Sequence, residues 1–462
     1  MNIANNLKGK LAIAPWLIAG WVIGNLFLNN TQLFIVALLG VCTLVLLVHS
    51  PVLAILGIMA GTSLIDYHQG LPLTKIGTIN IPDLILFLLV TVVIFRTLFL
   101  GVKPIKTPLD IPLIIFVVIG MISLLAGFFE QKYLFFVGLK EFKVILYYLL
   151  VILVTNIIKD KKTLKLVIYG CLAVGVIASV GLVLAGLVNP PPALSDGEGE
   201  MFYRDREAIS GSMLPFWSLV GFVSLLLISK IRAGYILGAG IILMWLMLSF
   251  TRHLWIAFVV GVLCILLFNF RKVKKRIFVS SMLVIIPILL IATASLFEVE
   301  PVAAYVKLIA LRGKSLTFQE RVDNWDYRLA ENEYSKRTIA EHLLFGIGFV
   351  SPFRPQIYGP NDNTQAYLHN GYYWILVKLG IAGLLPFLWF SYVFVRRGII
   401  YRNRVEDNFL RAVVVGSVCS YLGIAVGNIA AAHFMENWEV SVFGLSMGIN
   451  EVIYRLEGVD HS

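Results

Sequence analysis

The sequence predicts an all-α fold, a polytopic bundle of about fourteen transmembrane helices, and three observations carry that prediction. Hydrophobic residues fill 59% of the 462 positions and charged residues only 14%, against about 25% charged in soluble domains. Mean hydropathy is +0.86, and apolar runs of about 14 to 26 residues recur along the whole chain, where a helix needs about 20 to cross the hydrocarbon. Lys and Arg total 38 against 27 Asp and Glu, and the excess sits in alternate loops, as the loops retained on the cytoplasmic side of a membrane require. That alternation accounts for the basic balance without nucleic acid as a partner.

In order, the spans read as 11–28, 32–49, 51–65, 81–100, 110–129, 137–157, 166–188, 213–229, 234–251, 253–270, 277–296, 371–395, 411–430 and 438–454. Lys8 and Lys10 precede the first as they would a signal peptide. No small-residue cleavage site follows, so this is read as a retained span. The third is short and begins directly after His49-Ser50-Pro51. With the N-terminus cytoplasmic, Lys103 and Lys106, the group Lys159 to Lys165, Lys230 and Arg232, the run Arg271 to Arg276, the group Arg396 to Arg404, and Arg455 all land on one side. Removing a single span would scatter them over both faces, which favours an even count with both termini inside. Cys42, Cys171, Cys264 and Cys419 each lie inside an apolar run and read as core thiols, with neither zinc nor disulfide spacing.

Two long loops then face outward. Residues 189–212 open with Pro190-Pro191-Pro192 and carry acidic residues beside Arg204 and Arg206, the composition of a flexible loop. Residues 297–370 contain helical signals: Thr317 and Glu320 at capping-box spacing, and Val322, Trp325 and Leu329 at intervals of three and four. The expected organisation is an N-terminal bundle over 1–296, a structured outer cap over 297–370, and C-terminal spans with a short cytoplasmic tail over 371–462.

The polar groups that carry chemistry gather on the outer rim: Arg204, Arg206, Arg252, His253, Arg321 and His369. A transporter would instead place ionisable groups near the midplane, where Lys378 is the main exception. Arginines around one histidine suit an anionic, lipid-anchored substrate whose headgroup lies at the interface. His369 stands where the large loop re-enters the membrane, ahead of Tyr372, Tyr373 and Trp374 and of Gly380 and Gly383, which are read as allowing close helix packing. An imidazole there suits a general base; the alternative is an interfacial His beside an aromatic belt.

The stretch from His369-Asn370 to Gly380-Ile381-Ala382-Gly383 resembles the signature of the O-antigen ligase and polymerase family, a His followed by Asn or Ser and then a span with Gly-x-x-Gly. Glu341-His342-Leu343-Leu344-Phe345-Gly346-Ile347-Gly348, Arg321-Val322-Asp323-Asn324-Trp325 and Ser249-Phe250-Thr251-Arg252 resemble further family segments in the same order, covering residues 249–383. His253 and Lys378 depart from it, standing where the family commonly has a small and an acidic residue.

The resemblance implies a bacterial inner-membrane glycosyltransferase of cell-surface polysaccharide synthesis. It would move a glycan from an undecaprenyl-pyrophosphate donor to a hydroxyl on a glycan, lipid or protein acceptor, as polymerase or ligase, on the periplasmic side. His369 would be the base, and Arg252 and Arg321 would hold the pyrophosphate. Arg204, Arg206, Tyr372 and Trp325 are candidate substrate contacts, and no metal or other cofactor is expected. Arg252 and Arg321 also fit interfacial or cap-solvating arginines. His433, Glu436 and Glu439 have the spacing of a metal site on a helix but read better as polar contacts at the bundle mouth, and Lys140, Glu141 and Lys143 as an interfacial charge group. The other function classes left open are a transporter or flippase of lipid-linked glycans or other solutes and an enzyme-free scaffold in envelope assembly.

Overall fold

The computed structural model describes residues 50–65, 75–76, 79–130, 135–188, 213–249, 251–273, 322–349, 351–355 and 366–459. The expected spans 11–28, 32–49 and 277–296 and the loop 189–212 lie outside the described residues. By its contacts the chain divides after Ala54, and the architecture below is that of the second unit, Ile55–Ser462.

Helix α1 (Pro51–Ala60) runs on into one π-helical turn at Gly61–Ile65. A two-residue antiparallel ladder, β1 (Lys75–Ile76) on β2 (Ile79–Asn80), pairs Lys75 with Asn80 and Ile76 with Ile79. This small ladder departs from the all-α expectation. It leads into α2 (Ile81–Phe99), whose first turn holds Pro82 and whose Asp83 carboxylate accepts from the Asn80 backbone N–H at 2.8 Å, satisfying a donor the helix itself leaves open. Next come α3 (Asp110–Glu130), α4 (Phe135–Leu146), a 3-10 turn at Tyr147–Leu149, and α5 (Leu150–Ile157). The expected span 137–157 is thus two helices joined by a tighter turn, at the place where Gly444 approaches the Tyr147 carbonyl.

α6 (Lys161–Val188), α7 (Met213–Ile228), α8 (Ala233–Leu248) and α9 (Arg252–Val273) follow. Helix α10 (Val322–Glu341), within the segment expected to form the cap, precedes α11 (Gly371–Tyr401), α12 (Asn408–Gly427), a 3-10 turn at His433–Met435 and α13 (Asn437–Leu456). Every helix from α6 to α9, and every one from α11 to α13, overlaps an expected span.

The core lies where α12 packs between α7 and α9 and where α13 packs on α5 and the 3-10 turn beside it. α7 is buried from Met213 to Leu227, the mark of a helix surrounded by protein on all sides. The outer faces of α2 and α3 are apolar and open, with Phe87, Leu98, Phe99 and Ile111 between 64% and 73% exposed. An uncovered apolar surface of that extent belongs in lipid. Five of the described helices are long and apolar enough to cross a membrane.

The basic loops meet at one end of the bundle. Lys161 pairs with Glu457 at 2.6 Å, Lys165 with Asp407 at 2.6 Å, and the Ile105 N–H donates to Asn156 Oδ1 at 2.8 Å. Arg397 forms a two-point pair with Glu451 at 2.9 Å. Cys171 and Cys419 are buried, Cys264 is partly so, and all three are free thiols.

α11 is broken, and the break shapes the opposite end. Gly380 has φ 62° and ψ −164°, a combination essentially reserved for glycine. The Val377 and Lys378 carbonyls that lose their helical partners accept instead from the Ile347 N–H at 2.8 Å and the Gly348 N–H at 3.1 Å. Across the break, the Ile381 and Ala382 N–H groups donate to Leu343 and Leu344. Residues 343–348 therefore fit into the break as backbone, which meets the demand that a peptide group away from water find a partner. Gly346 and Gly380 are needed because a Cβ on either would lie 2.4 to 2.7 Å from the other segment's backbone. This corrects the reading of Gly380 as a helix-packing residue: it ends one helical segment and starts another. Lys378, only 1% exposed, is absorbed by the same device, its ammonium donating to the Ser351 carbonyl at 2.9 Å with Glu141 at 3.7 Å.

Candidate active site

The sequence His369-Asn370-Gly371 places the histidine just outside the first turn of α11. Asn370 is the cap: its Oδ1 accepts from the Tyr372 and Tyr373 N–H groups at 3.0 and 3.1 Å, as an N-cap asparagine does. Gly371 lies against the end of α12, donating its N–H to the Asn428 carbonyl at 2.9 Å. Tyr372 extends that contact, its hydroxyl donating to the Ala425 carbonyl at 2.8 Å and its ring meeting Phe434. Tyr372 thus braces the helix start.

Glu331, in the middle of α10, reaches His369. Its Oε2 lies 2.9 Å from His369 Nδ1 and 3.4 Å from the His369 backbone nitrogen. The Glu331 side chain is 2% exposed, while the imidazole remains 31% exposed. Tyr367 packs edge-on against the same ring at 5.1 Å between centroids and donates its hydroxyl to Glu436 Oε1 at 3.2 Å. Burial and the neighbouring Glu439 push the Glu436 carboxyl up to about 8, so it is largely protonated at neutral pH.

A second His–Glu pair lies nearby. His433 Nδ1 is 2.6 Å from Glu439 Oε1, with side-chain exposures of only 4% and 12%. The His253 ring rests against His433 with centroids 4.6 Å apart. Among the described residues no group of three His, Cys, Asp or Glu is arranged to hold a metal ion.

Arg252 is the first residue of α9. The turn before it is knitted by Ser249 and Thr251, both buried: Thr251 Oγ1 donates to the Ser249 carbonyl at 2.9 Å, and Trp255 Nε1 to the Leu246 carbonyl at 2.7 Å. α9 and α11 both begin against one structure, the end of α12 with the turn that follows: His253 meets His433, and Gly371 meets Asn428. The helix starts that carry Arg252 and His369 are thereby brought to one end of the bundle although far apart in sequence.

Arg204, Arg206 and Arg321 lie outside the described residues, and of Trp325 only its place in α10 is described. Glu331, Tyr367 and Glu436 were not anticipated beside His369. The buried stripe of α10 runs through Glu331 and Ser335 while Leu329 is exposed, so the Val322, Trp325, Leu329 spacing signalled a helix without marking the face that turns inward.

The arrangement pairs an accessible imidazole, held by a buried carboxylate, with an arginine-bearing helix start at the same bundle end. Residues 237–388 match the O-antigen ligase family. That segment, about a third of the chain, holds Arg252, Arg321, Glu331 and His369, and the match together with the five helices long and apolar enough to cross a membrane points to a membrane protein. No curated protein matches the chain.

Proposed function

We propose that this protein transfers a glycan from an undecaprenyl-pyrophosphate-type donor to an acceptor hydroxyl on the periplasmic face of a bacterial inner membrane. The observation that carries the reading is the His369 imidazole, one-third exposed and 2.9 Å from the Glu331 carboxylate, inside the O-antigen ligase match. A carboxylate only accepts, so Nδ1 keeps its hydrogen and Nε2 carries the lone pair. Nε2 takes the proton of the acceptor hydroxyl as its oxygen attacks the anomeric carbon. The bond from that carbon to the pyrophosphate oxygen breaks, its electron pair leaves on pyrophosphate, and the configuration inverts.

Arg252 and Arg321 hold the donor pyrophosphate, since a guanidinium presents a planar fork to phosphate oxygens and stays charged throughout. Pyrophosphate is already a good leaving group, and two guanidiniums neutralise the charge it gains, so the step runs without a metal. Arg204, Arg206 and Trp325 complete the substrate contacts above the membrane, within the cap of residues 297–370 and the loop 189–212.

The transport alternative would draw on the broken helix α11, because interrupted spans bind solutes through their open carbonyls. Here residues 347 and 348 occupy the carbonyls at the break, which favours the transferase reading. The test is reconstitution of the full chain in proteoliposomes with a polyprenyl-pyrophosphate-linked oligosaccharide, read by gel with and without chelator. A ladder identifies a polymerase and a single band on a second acceptor a ligase, each unchanged by chelator. Movement of the donor across the vesicle without new bonds sinks the proposal.

A further inference from the structure

Two histidines at this end of the bundle are paired with glutamates, and they differ in what the pair leaves open. His433 and Glu439 are both enclosed, whereas His369 keeps 31% of its side chain at the surface with its carboxylate partner 2% exposed behind it. Burying a carboxylate is costly unless its partners compensate. Glu331 is poorly supplied for a purely structural role: among the described residues its Oε1 has no hydrogen-bond partner. Its other oxygen lies within reach of His369, at the ring Nδ1 and the backbone nitrogen. Ser335, one turn along the same buried stripe, bonds back to the Glu331 carbonyl and not to its carboxylate.

We propose that Glu331 is the positioning residue of His369, its carboxylate fixing the imidazole with the hydrogen on Nδ1 and the lone pair on Nε2. The inference rests on His369 acting as base and assigns the group that makes it one. An imidazole free to rotate presents either nitrogen in either tautomer. Held on one side by Glu331 and covered on another by the Tyr367 ring, it presents one. The carboxylate also lies beside the positive charge that develops on the ring as the proton arrives. Because Glu331 belongs to α10, the base is complete only with the outer-loop helix in place against α11, a contact the fold makes.

The test uses the full chain in proteoliposomes with the lipid-linked oligosaccharide donor, comparing Glu331→Gln, Glu331→Asp, His369→Ala and the double variant Glu331→Gln/His369→Ala. Glu331→Gln keeps the shape of the side chain but not its charge, and its amide NH2 can turn toward Nδ1 and favour the other tautomer. The expected result is a kcat about tenfold to a thousandfold lower with donor KM within about threefold of wild type. Glu331→Asp should recover part of the loss. The double variant should be no slower than His369→Ala, since the carboxylate acts only through the ring. Glu333, exposed on the same helix and paired with Lys336, supplies the control Glu333→Gln, expected at wild-type rate.

A Glu331→Gln enzyme with wild-type kcat beside an inactive His369→Ala overturns the positioning role and leaves the base in place. A double variant slower than His369→Ala by the full Glu331→Gln factor shows an independent structural role and also overturns it. Full activity in His369→Ala removes the base, and the positioning role with it.

Discussion

Gly371 and Asn428 are joined backbone to backbone at 2.9 Å, with no room for a side chain between them: a Cβ on Gly371 would lie 2.3 Å from Asn428 Oδ1. Asn428 has no exposed surface, and that same oxygen accepts from the Phe434 N–H at 3.1 Å, so it has nowhere to turn without losing a bond. This contact sets the height of the α11 start against the end of α12, and with it the position of His369 two residues earlier.

Gly371→Ala should therefore move the base while leaving every proposed catalytic side chain present. Displacements of about 1 Å at a reacting group cost of the order of a hundredfold, so transfer should fall at least tenfold, with about 1–3 kcal/mol of stability lost. Rate and thermal unfolding in detergent check this together. A Gly371→Ala protein with normal rate and normal melting would show that the contact does not set the site.

Gly380→Ala should be among the most destabilising single changes in the span. The backbone conformation there costs a residue with a Cβ about 1–3 kcal/mol, and the added carbon would lie 2.4 Å from the Leu344 carbonyl. Gly383→Ala is the informative comparison: the atoms its Cβ would meet first are those of the Leu379 side chain, nearest at 2.3 Å, and side chains give way more readily than backbone. Thermal unfolding should rank Gly380→Ala well below Gly383→Ala, and equal melting temperatures would contradict the broken-helix account.

The contrast between these two glycines shows what the sequence made legible. Run length alone located the spans that the described helices overlap, because crossing hydrocarbon demands an apolar segment of fixed length. The break at Gly380 was not legible, since its partners are backbone groups of residues 343–348 and carry no side-chain pattern. His369 stood out by type and place, and Arg252 by the hairpin it opens. Glu331 did not, because the buried stripe of its helix is polar and the apolar spacing through Leu329, which is exposed, points to another face.

Stability should depend on pH through Glu436. Its carboxyl is pushed up to about 8 by burial and by Glu439, so the folded chain holds a proton there that the unfolded chain releases near pH 4.5. Between those values the folded state binds more protons, and stability falls as pH rises. It should be highest at the acid end of that window and level off above about pH 8. Glu436→Gln should flatten the slope of melting temperature against pH from 5 to 9. Parallel slopes for variant and wild type would rule the assignment out.

Arg252→Ala should lower transfer about a hundredfold to a thousandfold, the usual cost of removing a group that stabilises developing charge. Arg252→Lys should recover only part of it, because an ammonium keeps the charge but not the planar fork. The check is kcat at saturating donor for both variants. A fully active Arg252→Lys would mean that charge alone is needed, and a fully active Arg252→Ala would remove the residue from the site.

A proton moves to His369 in the bond-forming step of the proposed reaction, and His369→Ala removes the group that takes it. Single-turnover transfer from a saturating lipid-linked donor in proteoliposomes should slow about a hundredfold to ten-thousandfold, while donor binding and thermal stability stay near wild type. A His369→Ala protein that binds the donor and transfers its glycan at the wild-type rate would show that His369 takes no proton in the reaction.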